Sequence, residues 1–170
     1  TYSTTVNPLR QKEQALVKAA WEQLGVEVEL KSIDASVFFS SDAGNPDTFG
    51  HFFNDIQMYT NNYEQPDPTN YLCGWTTVEI AAKANEWRGN NNGRYSNPEY
   101  DELCEQLRRT TNLDERKEIV LKMNDILVND VVVIPLVARA QVTSGKSKDL
   151  KGINLTPWDS ELWNIAEWYK

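Results

Sequence analysis

The chain has 170 residues, 25 acidic against 17 basic side chains, and a net charge of −8 at pH 7. A chain of this length can bury a core without a metal ion or disulfide to hold it. The acidic balance argues against nucleic acid or an anionic membrane as a partner, because phosphate binding requires clustered Lys and Arg. The longest apolar run, 131–138, is far shorter than the roughly 20 residues that span a bilayer. The first residues lack a secretory signal and an initiator Met, which indicates a processed chain or a piece of a longer one.

The N-terminal segment predicts a strand, a helix and a second strand. Residues 2–6 alternate in polarity like a strand, and Asn7 and Pro8 suit the N-cap and first position of a helix. We expect this helix to run from about 8 to 24 and the alternation over 26–31 to form the next strand. The apolar residues expected to form the buried face of the helix are Leu9, Leu16, Val17, Ala20, Trp21 and Leu24. Together these elements predict a right-handed βαβ unit.

The middle of the chain is less regular. Asp34 can cap a short helix, residues 52–59 predict a further strand, and 77–87 could be helical. The segment 88–99 resembles a calcium-binding loop, but Arg88 stands at the first position, where a carboxylate ligand is required. The sequence therefore argues against calcium there.

Two amphipathic helices are predicted next. Asn97 begins the first, and either Asn112 or Asp114 caps the second. The apolar faces are Tyr100, Leu103, Cys104 and Leu107, and then Ile119, Val120, Met123, Ile126 and Leu127. Their short connection predicts an antiparallel pair, in which Asp101 and Arg116 could form an ion pair. Residues 131–142 and 162–169 predict strands, the former at a sheet edge or bulge because it contains Pro135.

Cys73 and Cys104 leave two interpretations open. They can pair in an oxidising compartment, or each can be a small buried hydrophobic residue. Neither belongs to a CxxC motif, and His51 is the sole histidine, so no zinc set is indicated.

The loop 59–75 carries the candidate site. Pro66 and Pro68 fix the backbone and extend the residues before them, so the loop is stiff enough to aim side chains. It holds two carboxylates, Glu64 and Asp67, which suit a cationic or amide-rich ligand with stackable bulk. The aromatic residues around them are Tyr59, Tyr63, Tyr71 and Trp75. A surface turn with aromatic side chains beneath it remains the alternative. A carboxylate-pair hydrolase is a second alternative, although no nucleophile elbow, metal set or phosphate loop accompanies the pair.

The order of these segments resembles the C-terminal part of the peptide-binding family of extracytoplasmic solute-binding proteins, the receptors of dipeptide and oligopeptide ABC importers. The segments that carry the resemblance are Thr5–Gln11, Leu24–Val28, Pro66–Pro68, Arg94–Leu103, Asp114–Arg116 and Val133–Leu136. The resemblance implies an α/β fold, a lobe of the type II periplasmic-binding-protein class with a mixed sheet flanked by helices. Residues 1–170 would form one domain, most of the second lobe of a two-lobe receptor, and 143–170 would contact the missing first lobe.

The resemblance also implies a function. The protein would bind peptides in the periplasm or at the outer face of the cytoplasmic membrane, with a lipid anchor left open, and would deliver them to ABC permease subunits without a cofactor or catalysis. Glu64, three residues before Asp67, stands where the family pairs an acidic residue, more commonly Asp, with the peptide α-ammonium. The same fold also binds oligosaccharides and nickel complexes, which remain alternatives.

The other candidate residues have subsidiary roles. Asn61 stands where the family often has Trp, and the residues that could supply an aromatic wall instead are Tyr59, Tyr63 and Trp75. Arg94, with Asn91 or Asn92, is a candidate for a peptide carboxylate or carbonyl. Asp67, flanked by Pro66 and Pro68, is expected to hold the loop by accepting backbone N–H bonds.

Overall fold

The structure, a computed structural model, describes residues 1–61, 66–137, 147–156 and 162–170, and within these ranges the fold is α/β. Its N-terminal half contains β1 (Tyr2–Thr5), α1 (Pro8–Glu22), β2 (Leu30–Ile33), α2 (Ala35–Phe38) and β3 (Ile56–Met58). The strands form a sheet in the order β2-β1-β3, and β1 pairs with both neighbours in parallel. The predicted βαβ order is confirmed. The sheet expected to be mixed is parallel in the part of the chain that the structure describes.

Helix α1 begins as predicted, but it buries a different face. The Asn7 side chain accepts the N–H groups of Leu9 and Arg10, and Pro8 follows as the first helical residue. The face against the sheet is centred on Gln14, whose Nε2 donates to the carbonyl of Tyr2 at 2.8 Å. Val17 and Trp21 of the predicted stripe pack against the sheet, whereas the expectation was wrong for Leu9, Leu16, Ala20 and Leu24, which are exposed. An apolar spacing alone does not show which side of a helix meets the sheet.

Strand positions shift from those predicted. The strand expected over 26–31 forms its ladder at Leu30–Ile33, and only Ile56–Met58 of the expected 52–59 pairs. Helix α2 is confirmed, because Asp34 Oδ1 accepts the N–H of Ser36 at 2.8 Å and caps it.

The second half is helical: α3 (Thr69–Cys73), α4 (Pro98–Arg109) and α5 (Leu113–Asn129). The predicted stripe of α4 is fully buried, and α4 and α5 pack against each other. Asn97 and Asn112 cap the two long helices. The residues that build the core are Leu72, Cys73, Tyr100, Leu103, Cys104, Leu107, Met123 and Leu127. None of the helices within the described ranges is long and apolar enough to cross a bilayer.

Cys73 and Cys104, whose pairing the sequence left open, form a disulfide in this core. The bond joins α3 to α4, and the loop that it closes contains the turn-rich segment between them. The small helix after the Pro66–Pro68 turn is therefore covalently fixed to the longer one.

Three predicted elements take other forms. Residues 77–87 form single 3₁₀ turns at Thr77–Glu79 and Lys83–Asn85, because side-chain bonds such as that from Asn85 to the Ile80 carbonyl compete with an α-helix. Residues 131–137 contain no strand, and 138–142 lie outside the described residues. The chain end forms a 3₁₀ turn, and Tyr169 alone makes a bridge, to Lys151.

The predicted ion pair between Asp101 and Arg116 is also wrong. Asp101 accepts the N–H of Thr77 at 2.8 Å, and Arg116 instead reaches Asp67 at 2.6 Å. Helix–helix spacing along the sequence could not indicate this partner, which lies 49 residues away.

Candidate ligand-binding site

The strands of the parallel sheet end at one edge, after Thr5, Ile33 and Met58. Arg10, in the first turn of α1, ties this edge together: its guanidinium donates to the hydroxyl of Thr5 at 2.6 Å and to that of Thr60 at 3.1 Å. Open α/β sheets bind ligands outside the carboxyl ends of their strands. This edge is therefore the candidate site, and the loop 59–75 starts from it.

Two of the predicted ligand-binding residues, Tyr63 and Glu64, lie outside the described residues, so their roles stay predictions. Asn61, on the N-terminal side of that gap, is exposed. Both flanks of the loop are described, and they show how the loop is held.

Asp67 fixes the C-terminal flank. Its carboxylate accepts the N–H of Thr69 at 2.9 Å, the Thr69 hydroxyl, and the guanidinium of Arg116 at 2.6 Å. The two bonds from Thr69 lower the pKa of the Asp67 carboxyl, and Arg116 lowers it further. The Asp67 carboxylate, between Pro66 and Pro68, therefore bonds to other parts of the protein and stays ionised to a lower pH than an ordinary aspartate.

Tyr59 fixes the N-terminal flank. It follows β3 directly and lies in an aromatic cluster with Phe38, Phe39 and Phe49, with ring centroids 5.7–6.4 Å from its own. Burial raises the pKa of the Tyr59 phenol, and the nearby amide of Asn92 offsets part of that rise. The ring is thus mainly part of the packing between the sheet and α2.

Trp75 closes the loop at the edge of the helical core. It is partly buried, packs against the core, and meets Tyr71 in a T-shaped arrangement with centroids 6.4 Å apart. Its carbonyl accepts from the Asn91 amide at 3.1 Å. Trp75 and Tyr59 therefore belong to different packed clusters in the described residues.

Arg94 makes contacts within the protein. Its guanidinium donates to the carbonyls of His51 at 2.5 Å and Phe52 at 3.3 Å, and lies over the rings of Phe53 and Trp87 at 5.9 and 5.6 Å. Through these contacts with two carbonyls and two aromatic rings, Arg94 holds the 51–53 segment in place. The predicted contact with a peptide carboxylate stays a prediction.

The sequence did not indicate two features of this edge. Arg10 is one, because nothing in the sequence separates it from other surface cations of α1. The second is the Gln57 side chain, which is partly buried and donates to the carbonyl of Phe49 at 3.1 Å. The period-2 pattern of the predicted strand 52–59 could have placed Gln57 and Tyr59 on one face.

A cavity of about 310 Å³ also lies next to α2. Its lining combines aromatic, charged and small residues: Phe39, Ser40, Ser41, Asp42, Thr48, Phe49, Gly50, Glu86, Trp87, Arg88, Gly89 and Asn90. Glu86 and Arg88 pair with each other at 2.8 Å. Within the described ranges, no group of three or more His, Cys, Asp or Glu side chains could hold a metal ion.

Comparison with known proteins finds a distant relative among binding proteins. No family model matches the chain. The chain is 23% identical over 153 residues to a dipeptide-binding protein of Pseudomonas aeruginosa, and the match covers 89% of this chain and 26% of that relative. This chain therefore spans about a quarter of the relative's length. The similarity suggests the peptide-binding family of solute-binding proteins, but an identity of 23% does not establish membership. The relative is named as a binding protein, not as an enzyme.

Proposed function

We propose that this chain is most of the second lobe of an extracytoplasmic peptide-binding receptor, the substrate-binding component of an ABC importer. The observation that carries the proposal is the similarity to a dipeptide-binding protein, which extends over 89% of the chain and is not confined to one motif. The role is non-catalytic. The ligand is a dipeptide or oligopeptide, which the receptor delivers to the permease subunits.

The contacts of the 59–75 loop support this proposal. Asp67 and Arg116 anchor one flank, and the Tyr59 cluster anchors the other. In general, fixing the flanks of a binding loop lowers the entropy that is lost on binding, which raises affinity. We place the ligand anchor, Glu64, in that interval.

Glu64 is proposed to pair with the peptide α-ammonium. A carboxylate about 4 Å from an ammonium gains roughly 4 kcal/mol at an effective dielectric of 20, before desolvation. Recognition of the ammonium and of the peptide backbone leaves the ligand side chains free, so one site can accept many sequences.

The disulfide supports the extracytoplasmic part of the proposal. Disulfides persist in oxidising compartments and are rare in the cytosol. The bond between Cys73 and Cys104 lies inside the helical core.

The chain end supports a contact with a first lobe. Segments 147–156 and 162–170 are joined by the bridge between Lys151 and Tyr169 and by a bond from Trp163 Nε1 to the Asn154 carbonyl. Their large exposed apolar residues are Leu155, Leu162, Trp163, Ile165 and Tyr169. A surface of this kind suits coverage by another part of a larger protein, between whose lobes hinge closure would bury the ligand.

The test is calorimetric titration of the full-length protein with an oligopeptide mixture and with the same peptides after N-acetylation. We expect acetylation to abolish binding, and Glu64→Gln to weaken binding without lowering thermal stability. Asp125→Asn, at an exposed position of α5 outside the loop, is the control and should change neither affinity nor thermal stability. Equal binding of both peptide sets would remove the ammonium anchor, and binding of oligosaccharides or nickel complexes in place of peptides would replace the ligand class.

A further inference from the structure

The cavity beside α2 is a feature that the proposed function does not use. Its volume of about 310 Å³ lies at the lower end of the range for small-molecule pockets, so it suits one small ligand or a single side chain. Residues 39–42 and 48–50 form one wall, and residues 86–90 form the other. The walls meet closely, because a Cβ atom on Gly50 would lie 2.5 Å from the Trp87 carbonyl oxygen. Direct packing between the two walls thus shapes the cavity.

Phe39 offers the free aromatic surface in this cavity. It is 46% exposed, although its ring packs against that of Phe49 with centroids 5.8 Å apart. Trp87, in the opposite wall, already stacks on His51 at 4.4 Å and has the Arg94 guanidinium 5.6 Å from its ring centroid. An exposed phenylalanine ring on a cavity wall can bind an apolar group or a cation over its face.

The charges around the cavity select a cation. Among the described residues three charged side chains line it, and two of them, Glu86 and Arg88, pair with each other at 2.8 Å. The third, Asp42, accepts the N–H of Gly44 at 2.9 Å but forms no ion pair within the described ranges. The lining therefore carries one net negative charge, which belongs to Asp42.

We propose that this cavity binds an organic cation, an alkylammonium or guanidinium group, through the ring of Phe39 and the carboxylate of Asp42. The aromatic face attracts a cation through its quadrupole, and the carboxylate supplies the opposite charge. A neutral ligand of the same shape gains only the apolar contact. The site therefore distinguishes ligands by charge more than by shape.

Two sources can supply the cation. The rings of Phe39 and Phe49 lie 6.4 and 5.7 Å from that of Tyr59, the first residue after β3, so the cavity borders the candidate edge of the sheet. One source is a lysine or arginine side chain of a bound peptide, and in that case the inference rests on the proposed function and names its preferred ligands. The other source is a free alkylamine, and a site for it stands without the proposed function.

The experiment is calorimetric titration of the full-length protein with trialanine in which lysine, or its neutral analogue norleucine, replaces each residue in turn. Butylammonium, compared with butanol, is the probe for a free amine. We expect the lysine peptide to bind about tenfold more tightly than the norleucine peptide at one position, or butylammonium to bind where butanol does not.

Charge variants at exposed positions show whether Asp42 is responsible. Asp42→Asn keeps the oxygen that bonds Gly44 and should weaken binding of the cation about tenfold, to the level of its neutral analogue. Arg88→Gln should strengthen it, because the Glu86 carboxylate then lacks its partner. Asp125→Asn makes the same change of charge outside the cavity lining and should have no effect.

A variant of the aromatic wall tests the other half of the site. Phe39→Leu keeps the apolar bulk but removes the ring, and it should lower affinity for the cation about two- to fivefold. Thermal denaturation of each variant checks that the fold is retained. Equal cation affinity in wild type, Asp42→Asn and Phe39→Leu would overturn the proposal.

The outcomes separate this inference from the proposed function. If the norleucine peptides bind but neither a lysine preference nor butylammonium binding is found, the cation site fails alone. If no peptide binds but butylammonium binds and Asp42→Asn weakens it, the cation site stands and the proposed function fails. A lysine preference that persists in Asp42→Asn would assign the charge recognition to another residue and overturn the site in the cavity.

Discussion

Arg116 of α5 donates to the Asp67 carboxylate at 2.6 Å and so ties the helical pair to the proline-flanked loop. The same guanidinium donates to the carbonyls of Leu107 and Thr110 at 2.7 and 2.9 Å, which end α4. The Arg116 guanidinium therefore donates hydrogen bonds to carbonyls at the C-terminus of α4 and also fixes the loop in which we place the ligand anchor. Arg116 thus contributes both to the helical core and to the candidate site.

Arg116→Ala should lower the free energy of unfolding by about 2–3 kcal/mol, because it leaves partly buried carbonyls and a carboxylate without their donor. Urea denaturation monitored by circular dichroism measures the change. Arg108→Ala is the control, since the ion pair of Arg108 within the described ranges is an exposed one with Glu105, which contributes about 0–1 kcal/mol. Equal losses in the two variants would show that the Arg116 contacts do not stabilise the helix end.

Asp67 gives a pH-dependent prediction. Its folded-state pKa is lowered, first by Thr69 and then by Arg116, so its contribution to stability is present above the unfolded pKa of about 3.9 and is lost as the pH falls through the folded value. Wild type should therefore exceed Asp67→Asn in stability at pH 7, and the difference should shrink below about pH 4. Urea titrations across this range test it, with Asp125→Asn, at an exposed position of α5, as the control. A constant difference down to pH 2 would contradict the assignment.

The disulfide should contribute strongly to stability. Closing a loop between residues separated by 31 positions stabilises by about 3–4 kcal/mol on the chain-entropy account. The Cys73→Ala, Cys104→Ala double variant should lose that amount, and reductant should destabilise wild type but not the variant. Free thiols in the unreduced, unfolded wild-type protein would show that the pair is not formed.

The sequence predicted the elements that depend on local chemistry. Asn7, Asp34 and Asn97 mark the beginnings of α1, α2 and α4. In each case the side chain caps the helix by accepting hydrogen bonds from N–H groups two or three residues later in the chain. The buried stripe of α4 follows equally from its spacing, because that helix meets the core on one side only. Patterns that extend over a few residues were enough in these cases.

What the sequence could not predict depends on distant partners. The pairing of Arg116 with Asp67 joins residues 49 positions apart, and the choice of Gln14 over Leu16 as the buried residue of α1 depends on the carbonyls that the sheet presents. The candidate site divides in the same way: the prolines on either side of Asp67 predict its turn, whereas the bonds by which Arg10 joins Thr5 to Thr60 are a property of the packed structure.

Tyr95, before the start of α4, tests the electrostatics of its contact with Asp130 at the end of α5. Burial, and then a hydrogen bond to the Asp130 carboxylate, raise the pKa of Tyr95 to about 12. Because the folded value exceeds the unfolded value of about 10, this contribution to stability is present below pH 10 and is lost as the pH rises towards 12. Ultraviolet titration should show a late-ionising tyrosine whose pKa falls in Asp130→Asn but not in Asp125→Asn. Unchanged titration in Asp130→Asn would remove the carboxylate as a cause.

The buried face of α1 can be tested with two residues. The structure buries Gln14 and exposes Leu16, whereas the apolar pattern predicts that Leu16 is buried. Gln14 is 1% exposed and donates to the Tyr2 carbonyl, so Gln14→Ala in this chain should cost about 1–3 kcal/mol of unfolding free energy. Leu16 is 72% exposed, so Leu16→Ala should change stability by less than about 0.5 kcal/mol. Were Leu16 a core residue, as its spacing suggests, the loss would be about 2–5 kcal/mol. Chemical denaturation of the two variants side by side decides the face, and a larger loss at Leu16 than at Gln14 would contradict the observed orientation of the helix.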